Sequence, residues 1–452
     1  MLSTYIFYDK IMYIYNILKG DRMKRKIEKK LLEWKNRKNH KPLIIDGARQ
    51  VGKTYIAFSF GKENYKNTVY FNFENSKDLN KIFEKDLNPE RIIKELSVFS
   101  GNNILEKDTL IIFDEIQASE KALTSLKYFF EEKPNYDIIC AGSLLGVALN
   151  RESYSFPVGK VEILRMYPLD FEEFLWALNE KELSKMIREH FNNNEEFSLH
   201  NKAMEYYKKY LVIGGMPRII LDYIETENFD FVYSSQKTLN DSYIADMAKY
   251  AFPYETVKIM NTFNSIPAQL AKENKKFQYK VIKSGARANE YEVPIEWLVS
   301  SGIITKCIKV TEGKLPLKSY SEPSSFKIYL ADTGLLCSKF EIPANIILYG
   351  NDKFSEFRGA LTENYVCTAL SMNNYTPYYF EKNQTLEIDF IIQDKEGNII
   401  PVEVKSGEHV RATSLNNYIK KYSPLYSIRI SGKNFGFENG IKSVPLYSVF
   451  CI

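Results

Sequence analysis

Four short apolar runs punctuate the first third of the chain: residues 41–46 (KPLIID), 69–74 (VYFNFE), 109–114 (TLIIFD) and 136–143 (YDIICAGS). They are too short for helices and lack strict alternation, which predicts strands buried on both faces. Between them, residues 88–97 and 118–132 carry apolar positions at helical spacing. Residues 23–39 place Ile27, Leu31, Leu32 and Trp34 on one side of a charged helix. Strands alternating with helices predict a parallel sheet covered on both faces.

From about residue 170 to 263 the strand-like runs vanish. Residues 171–178, 184–191, 203–212 and 232–250 read as helices, with a loop at 192–196. Helices at 256–264, at 266–272 and in a later segment ending at 300 precede a strand at 303–310. A hairpin return at 326–330 follows. That order suits a winged helix, although Pro294 either interrupts the third helix or opens a new one at its first turn. The last part is α/β again: a helix at 359–372, then strands at 378–381, 386–392 and 399–405. The turn signal DKEGN at 394–398 predicts that the last two form a hairpin.

Composition narrows this only modestly. In 452 residues, 44% hydrophobic and 26% charged composition excludes a mainly disordered chain. Lys+Arg minus Asp+Glu, 61 − 57 = +4, excludes a wholly basic nucleic-acid binder. The charge is unevenly spread, however. Residues 20–41 hold ten Lys/Arg against three acids, and residues 272–287 hold six against one, with Phe277 and Tyr279 interleaved. Either stretch reads as a solvated face or, for 272–287, as a contact to DNA phosphates. Residues 106–132 run the other way, with seven acids against three bases. Cys140, Cys307, Cys337, Cys367 and Cys451 are scattered, which fits a reducing compartment and no zinc pair. No apolar run is long enough for a membrane span, so a cytoplasmic protein is expected. Residues 1–22 lack the features of a signal peptide; they read as an extension upstream of Met23 or as part of the fold.

Candidate chemistry gathers at strand ends. Gly47, Ala48, Arg49, Gln50, Val51, Gly52, Lys53 and Thr54 fit G-x-x-x-x-G-K-[ST] between a strand and a helix. Backbone N–H groups of such a loop cradle phosphates, Lys53 reaches the β- and γ-phosphates, and the Thr54 hydroxyl ligates Mg²⁺. This pattern makes ATP and Mg²⁺ the expected ligands. Asp114 and Glu115 close the third strand. Asp114 suits the Mg²⁺ position, and Glu115 is placed to polarise the attacking water. Ser143 ends the fourth strand, where it either senses the γ-phosphate or caps a helix. In the last part, Glu403 and Lys405 share one strand face, and Asp389 on the neighbouring strand can join them. Two carboxylates with a lysine suit Mg²⁺-dependent phosphodiester hydrolysis, with Glu363 completing the metal shell, but they equally suit the charged face of a hairpin.

Taken together, these segments resemble a prokaryotic family of AAA-type ATPases with a C-terminal restriction-endonuclease-like domain of uncharacterised function. The resemblance is carried by residues 47–54, 110–117 (LIIFDEIQ), 156–161 (FPVGKV), 167–174 (YPLDFEEF) and 214–218 (GGMPR). It continues through 326–334 (FKIYLADTG), 362–364 (TEN), 387–390 (EIDF) and 401–406 (PVEVKS). It spans about Met23 to the C-terminus. It implies an ATPase core at 23–176, a helical lid at 177–253, a winged-helix-like domain at 254–340 and an endonuclease-like domain at 341–452. Lys53, Thr54, Asp114 and Glu115 take the nucleotide roles, and Glu363, Asp389, Glu403 and Lys405 the endonuclease-like ones. Such proteins also use an arginine against the γ-phosphate, for which Arg151, Arg165 and Arg218 are candidates. Where the family often has arginine after Phe-Pro-Val-Gly, this chain has Lys160, which lacks the bidentate fork. The implied function is a Mg²⁺-dependent ATP-hydrolysing switch or motor that engages nucleic acid, with a homo-oligomer possible. An ATP-regulated DNA nuclease and a signalling or assembly module that cuts nothing are the alternatives.

Overall fold

The structure, a computed structural model, describes residues 23–142, 156–272, 275–350, 355–382, 386–407 and 413–452. The segment 1–22, Ser143 and Arg151 lie outside them. The chain divides into two compact units, one up to Tyr167 and one from Pro168 to Ile452.

The first unit is built on five parallel strands: β1 (Leu43–Asp46), β2 (Asn67–Asn72), β3 (Thr109–Asp114), β4 (Asp137–Gly142) and β5 (Glu162–Arg165). Their order is β2-β3-β4-β1-β5. All six residues of β3 are buried, as a run such as TLIIFD requires in the middle of a covered sheet. The core beside it is aromatic: Phe113 meets Phe73 edge-to-face at 5.3 Å and Phe83 at 5.8 Å. The helix Lys53–Asn64 follows β1, and its buried Gly61 lets it close on the side chains of Thr68 and Leu110. The edge strand β5, with alternating exposure, and the helix Lys77–Lys85 were not apparent in the hydrophobic pattern.

The second unit opens with helices Phe171–Ala177, Lys181–Asn193, His200–Ile213, Pro217–Thr226 and Phe229–Tyr250. Two expected helices, 256–264 and 266–272, are one continuous helix, Pro253–Leu270, with Pro267 inside it. Pro294 likewise sits within the single helix Ala288–Ser300. Packing of Ile259, Phe263, Ile266 and Leu270 outweighs one lost backbone bond. The hairpin β6 (Ile304–Val310) and β7 (Ser321–Leu330) follows, as expected. β6 also pairs in parallel with β8 (Tyr378–Lys382), and the sheet continues through β9 (Leu386–Gln393), β10 (Ile399–Val404) and β11 (Ser427–Ser431). It ends with β13 (Ile441–Pro445) and the short β12 (Gly436–Glu438). The expected boundary at 340/341 therefore does not separate two sheets. The 394–398 turn closes the β9–β10 hairpin, with Asp394 accepting from the Glu396 and Asn398 N–H groups. No described helix is long and apolar enough to cross a membrane.

Candidate functional site

Because the five strands of the first unit are parallel, their C-terminal ends share one edge of the sheet. β4 lies between the strand that leads into the glycine loop and the strand that carries Asp114. Gly47 (φ 151°), Gln50 (65°) and Gly52 (97°) give the loop its curvature. At Gly47 a Cβ would lie 2.1 Å from the Met166 carbonyl oxygen, so no side chain fits there. Arg25 braces the loop from outside. One guanidinium nitrogen donates to the Val51 carbonyl at 3.1 Å and the other to the Tyr167 carbonyl at 2.7 Å. Nothing in the basic run around Arg25 distinguishes it from a solvated helix start.

Lys53 is buried at the head of its helix and donates to the carbonyls of Gly47 (2.9 Å) and Ala48 (2.8 Å). Burial pushes its pKa down to about 8, with Arg49 adding to the effect and Glu115, Asp46 and Asp114 pulling the other way. The Thr54 hydroxyl donates to Asp114 Oδ1 at 3.0 Å, across from the next-but-one strand. Tyr70 donates to the other oxygen of Asp114 at 2.6 Å, and the Asn72 amide donates to the Tyr70 hydroxyl at 3.2 Å. Burial, and then the neighbouring Glu115, raise the Asp114 pKa to about 6. Glu115 has a left-handed backbone (φ 50°) and accepts from the Gln117 amide. A hydroxyl and a carboxylate side by side are the hard oxygen donors Mg²⁺ takes, so Thr54 and Asp114 fit that ion. Nothing in the sequence marks Tyr70 and Asn72, which look like ordinary strand residues.

The candidate arginines separate. Arg165 lies on β5, 5.8 Å from the Tyr167 ring centroid, where its charge bears on Asp46. Arg218 is paired to Asp222 at 2.8 Å. Lys160 pairs with Glu131 at 2.8 Å on the surface.

In the second unit the β9–β10 hairpin brings Asp389, Glu403 and Lys405 together. Lys405 Nζ lies 2.7 Å from Glu403 and 3.9 Å from Asp389. Asp389 also accepts from the Val404 N–H at 2.7 Å. Glu363, buried on the helix Ser355–Met372, is ion-paired to Lys275 and accepts from the Tyr329 hydroxyl at 3.3 Å. Buried Lys327 on β7 donates to Glu387 at 2.8 Å. Burial, Glu363 and Glu403 push the Asp389 pKa up to about 7. Burial would raise Glu363 too, but Lys275 and Lys327 hold it below the ordinary carboxylate value. Among the described residues no group of three or more His, Cys, Asp or Glu side chains is disposed to hold a metal ion. The expected set of Glu363, Asp389 and Glu403 is therefore not a ready cage, because each carboxylate is already held by an ammonium or an amide.

The basic stretch also divides. Lys272 donates to Gln278 at 3.0 Å, and Lys275 turns inward to Glu363. Phe277 is buried and stacks on Phe326 at 5.1 Å, so it is a core residue rather than a platform for bases. Lys280, Lys283 and Arg287 are exposed.

Residues 39–175 match the family model described as an AAA domain. Residues 204–345 and 358–449 match two models described as domains of unknown function, DUF8612 and DUF4143. No curated protein matches the chain. Among solved structures, the Walker-type ATPase PABY2304 of Pyrococcus abyssi is 16% identical, covering 71% of this chain and 96% of its own, with a TM-score of 0.45. The Aeropyrum pernix ORC2 protein is 13% identical over 71% of this chain and 89% of its own, with a TM-score of 0.33. Thermotoga maritima RuvB is 15% identical over 70% of this chain and 95% of its own, with a TM-score of 0.30.

Proposed function

We propose that the chain, whose residues 39–175 match the AAA domain model, binds ATP with Mg²⁺, hydrolyses it, and uses the cycle as a switch. The observation that carries this reading is the Thr54–Asp114 hydrogen bond of 3.0 Å beside Lys53, at the C-terminal edge of a parallel sheet. Lys53 exchanges its two loop carbonyls for phosphate oxygens, so the loop gains a ligand-dependent conformation. Thr54 and Asp114 would hold the cation, with Tyr70 fixing the carboxylate so that one oxygen stays turned to the hydroxyl. Mg²⁺ held there would supply charge neutralisation on the phosphates. Glu115, on its left-handed backbone, accepts the proton of the attacking water, and Gln117 orients its carboxylate. Binding of a fluorescent ATP analogue tests the site. Lys53→Ala is expected to weaken it by about 100-fold, equivalent to about 2.7 kcal/mol; unchanged affinity contradicts the assignment.

The second unit engages nucleic acid in this reading. Exposed Lys280, Lys283 and Arg287 support it. The competing reading is an ATP-regulated nuclease. Its support is the meeting of Asp389, Glu403 and Lys405. It predicts Mg²⁺-dependent nicking that Asp389→Ala abolishes. The third reading, an assembly or signalling module, predicts nucleotide-dependent association with no cleavage under any divalent cation.

A further inference from the structure

The carboxylates of the second unit sit in an unusual company. Glu363 and Glu403 both act electrostatically on Asp389, and three lysines converge on these carboxylates: Lys275 from the segment after the Pro253–Leu270 helix, Lys327 from β7 and Lys405 beyond β10. Their roles differ. Lys405 is about two-fifths exposed and bridges Glu403 and Asp389, as a lysine beside a hydrolytic site would. Lys327 is almost wholly buried and committed to Glu387 at 2.8 Å. Lys275 comes from a connecting segment between helices, and its side chain is only 15% exposed.

Lys275 lies along this helix. Its Nζ is 4.0 Å from a Cβ built at Gly359, one turn before Glu363 on Ser355–Met372, which is ordinary van der Waals distance. A buried carboxylate needs a compensating positive charge, and breaking such a pair leaves the survivor uncompensated.

We infer that Lys275 is a tethered internal cation, which keeps Glu363 from joining Asp389 and Glu403 around a divalent metal ion. The site is closed to metal while Lys275 is docked and opens when it leaves. Lys275 belongs to the basic stretch that also carries Lys280, Lys283 and Arg287. A polyanion on that stretch therefore competes with Glu363 for it. The closure itself does not depend on nucleic-acid engagement.

Manganese titration of the full chain without nucleotide tests this, read by calorimetry and by thermal unfolding. Subtracting the heat of Asp389→Asn removes any contribution of the P-loop site. The native chain is expected to show no Asp389-dependent Mn²⁺ binding. Lys275→Met is expected to gain one such site, at least about tenfold tighter than in the native chain. Its unfolding temperature is expected to fall without Mn²⁺ and to recover with it, because a ligand that binds only the folded state stabilises it. Lys275→Gln, which keeps a polar group, repeats the test should the methionine variant fold poorly. Asp389-dependent Mn²⁺ binding by the native chain overturns the proposal. So do folded Lys275 variants that gain no site. Because no nucleic acid is present, a failure of DNA binding leaves this result unaffected.

Discussion

Asp114 is held by two hydroxyls, one from Thr54 and one from Tyr70, and the two bonds have different consequences. Both stabilise the carboxylate form against the burial that raises its pKa to about 6. Only the ionised form ligates a cation, so kcat/KM for ATP is expected to fall as pH drops through about 6. Lys53 carries its charge below about 8 and loses it above, so the same quantity falls again on the alkaline side. The resulting bell reports the free protein, with limbs near those two values. Tyr70→Phe removes one bond to the carboxylate, moving the acidic limb to higher pH and costing about 1 kcal/mol of stability. An acidic limb that stays in place in Tyr70→Phe argues that Asp114 is not the group titrating. The positions of Lys53, Thr54 and Asp114 were legible in the sequence, because the glycine loop and the strand-ending carboxylate are local patterns. Tyr70 and Arg25 were not, because each acts on a residue distant in the chain and neither belongs to a spacing rule.

At the scale of the element, the glycine loop is constrained by a carbonyl rather than by its own sequence. The Met166 oxygen would lie 2.1 Å from a Cβ at Gly47, so Gly47→Ala is expected to displace the loop and weaken nucleotide binding by about 10- to 100-fold. The sheet behind it should persist, as a far-ultraviolet circular dichroism spectrum would check. Native-like nucleotide affinity in this variant would mean that the loop relaxes freely. Asp332 does similar work in the second unit. It caps the helix Thr333–Lys339 through Leu335 N–H at 2.9 Å and accepts from Gly215 N–H at 2.6 Å, entirely buried. Asp332→Ala is expected to lower stability by about 2–4 kcal/mol, measured as a shift in the denaturant midpoint, since it loses a cap and orphans a buried N–H. The buried strands β1, β3 and β4 were legible in their apolar runs. The edge strand β5 was not, since a half-exposed strand of four residues carries little signal. Pro294 left the third helix ambiguous for a related reason: a local rule against proline yields where an apolar helix face is packed, as it also does at Pro267.

For the whole molecule, the balance of +4 conceals its organisation. Positive charge of the 272–287 stretch is split between an inward ion pair at Lys275 and an exposed set at Lys280, Lys283 and Arg287. Replacing the exposed three by glutamate is expected to weaken DNA binding and to reduce its salt dependence, by about 0.7–0.9 in the log–log slope for each phosphate left without its cationic partner. An unchanged slope would take that surface out of the account. The parallel sheet of the first unit, the helices after it and the return of strands near the C-terminus were legible. The single eight-stranded sheet of the second unit was not, because the β6–β8 pairing joins residues such as Ile308 and Tyr378, 378 − 308 = 70 positions apart. Register between such strands is settled by packing that no local pattern records. In the proposed function Glu115, acting beside Thr54 and Asp114, activates the attacking water. Phosphate release from ATP and Mg²⁺ by the full chain and by Glu115→Gln, alongside binding of the same nucleotide, tests that role. Glu115→Gln is expected to retain ATP with near-native affinity while turnover falls by about 10²- to 10⁴-fold. Turnover in Glu115→Gln equal to that of the native chain would contradict it.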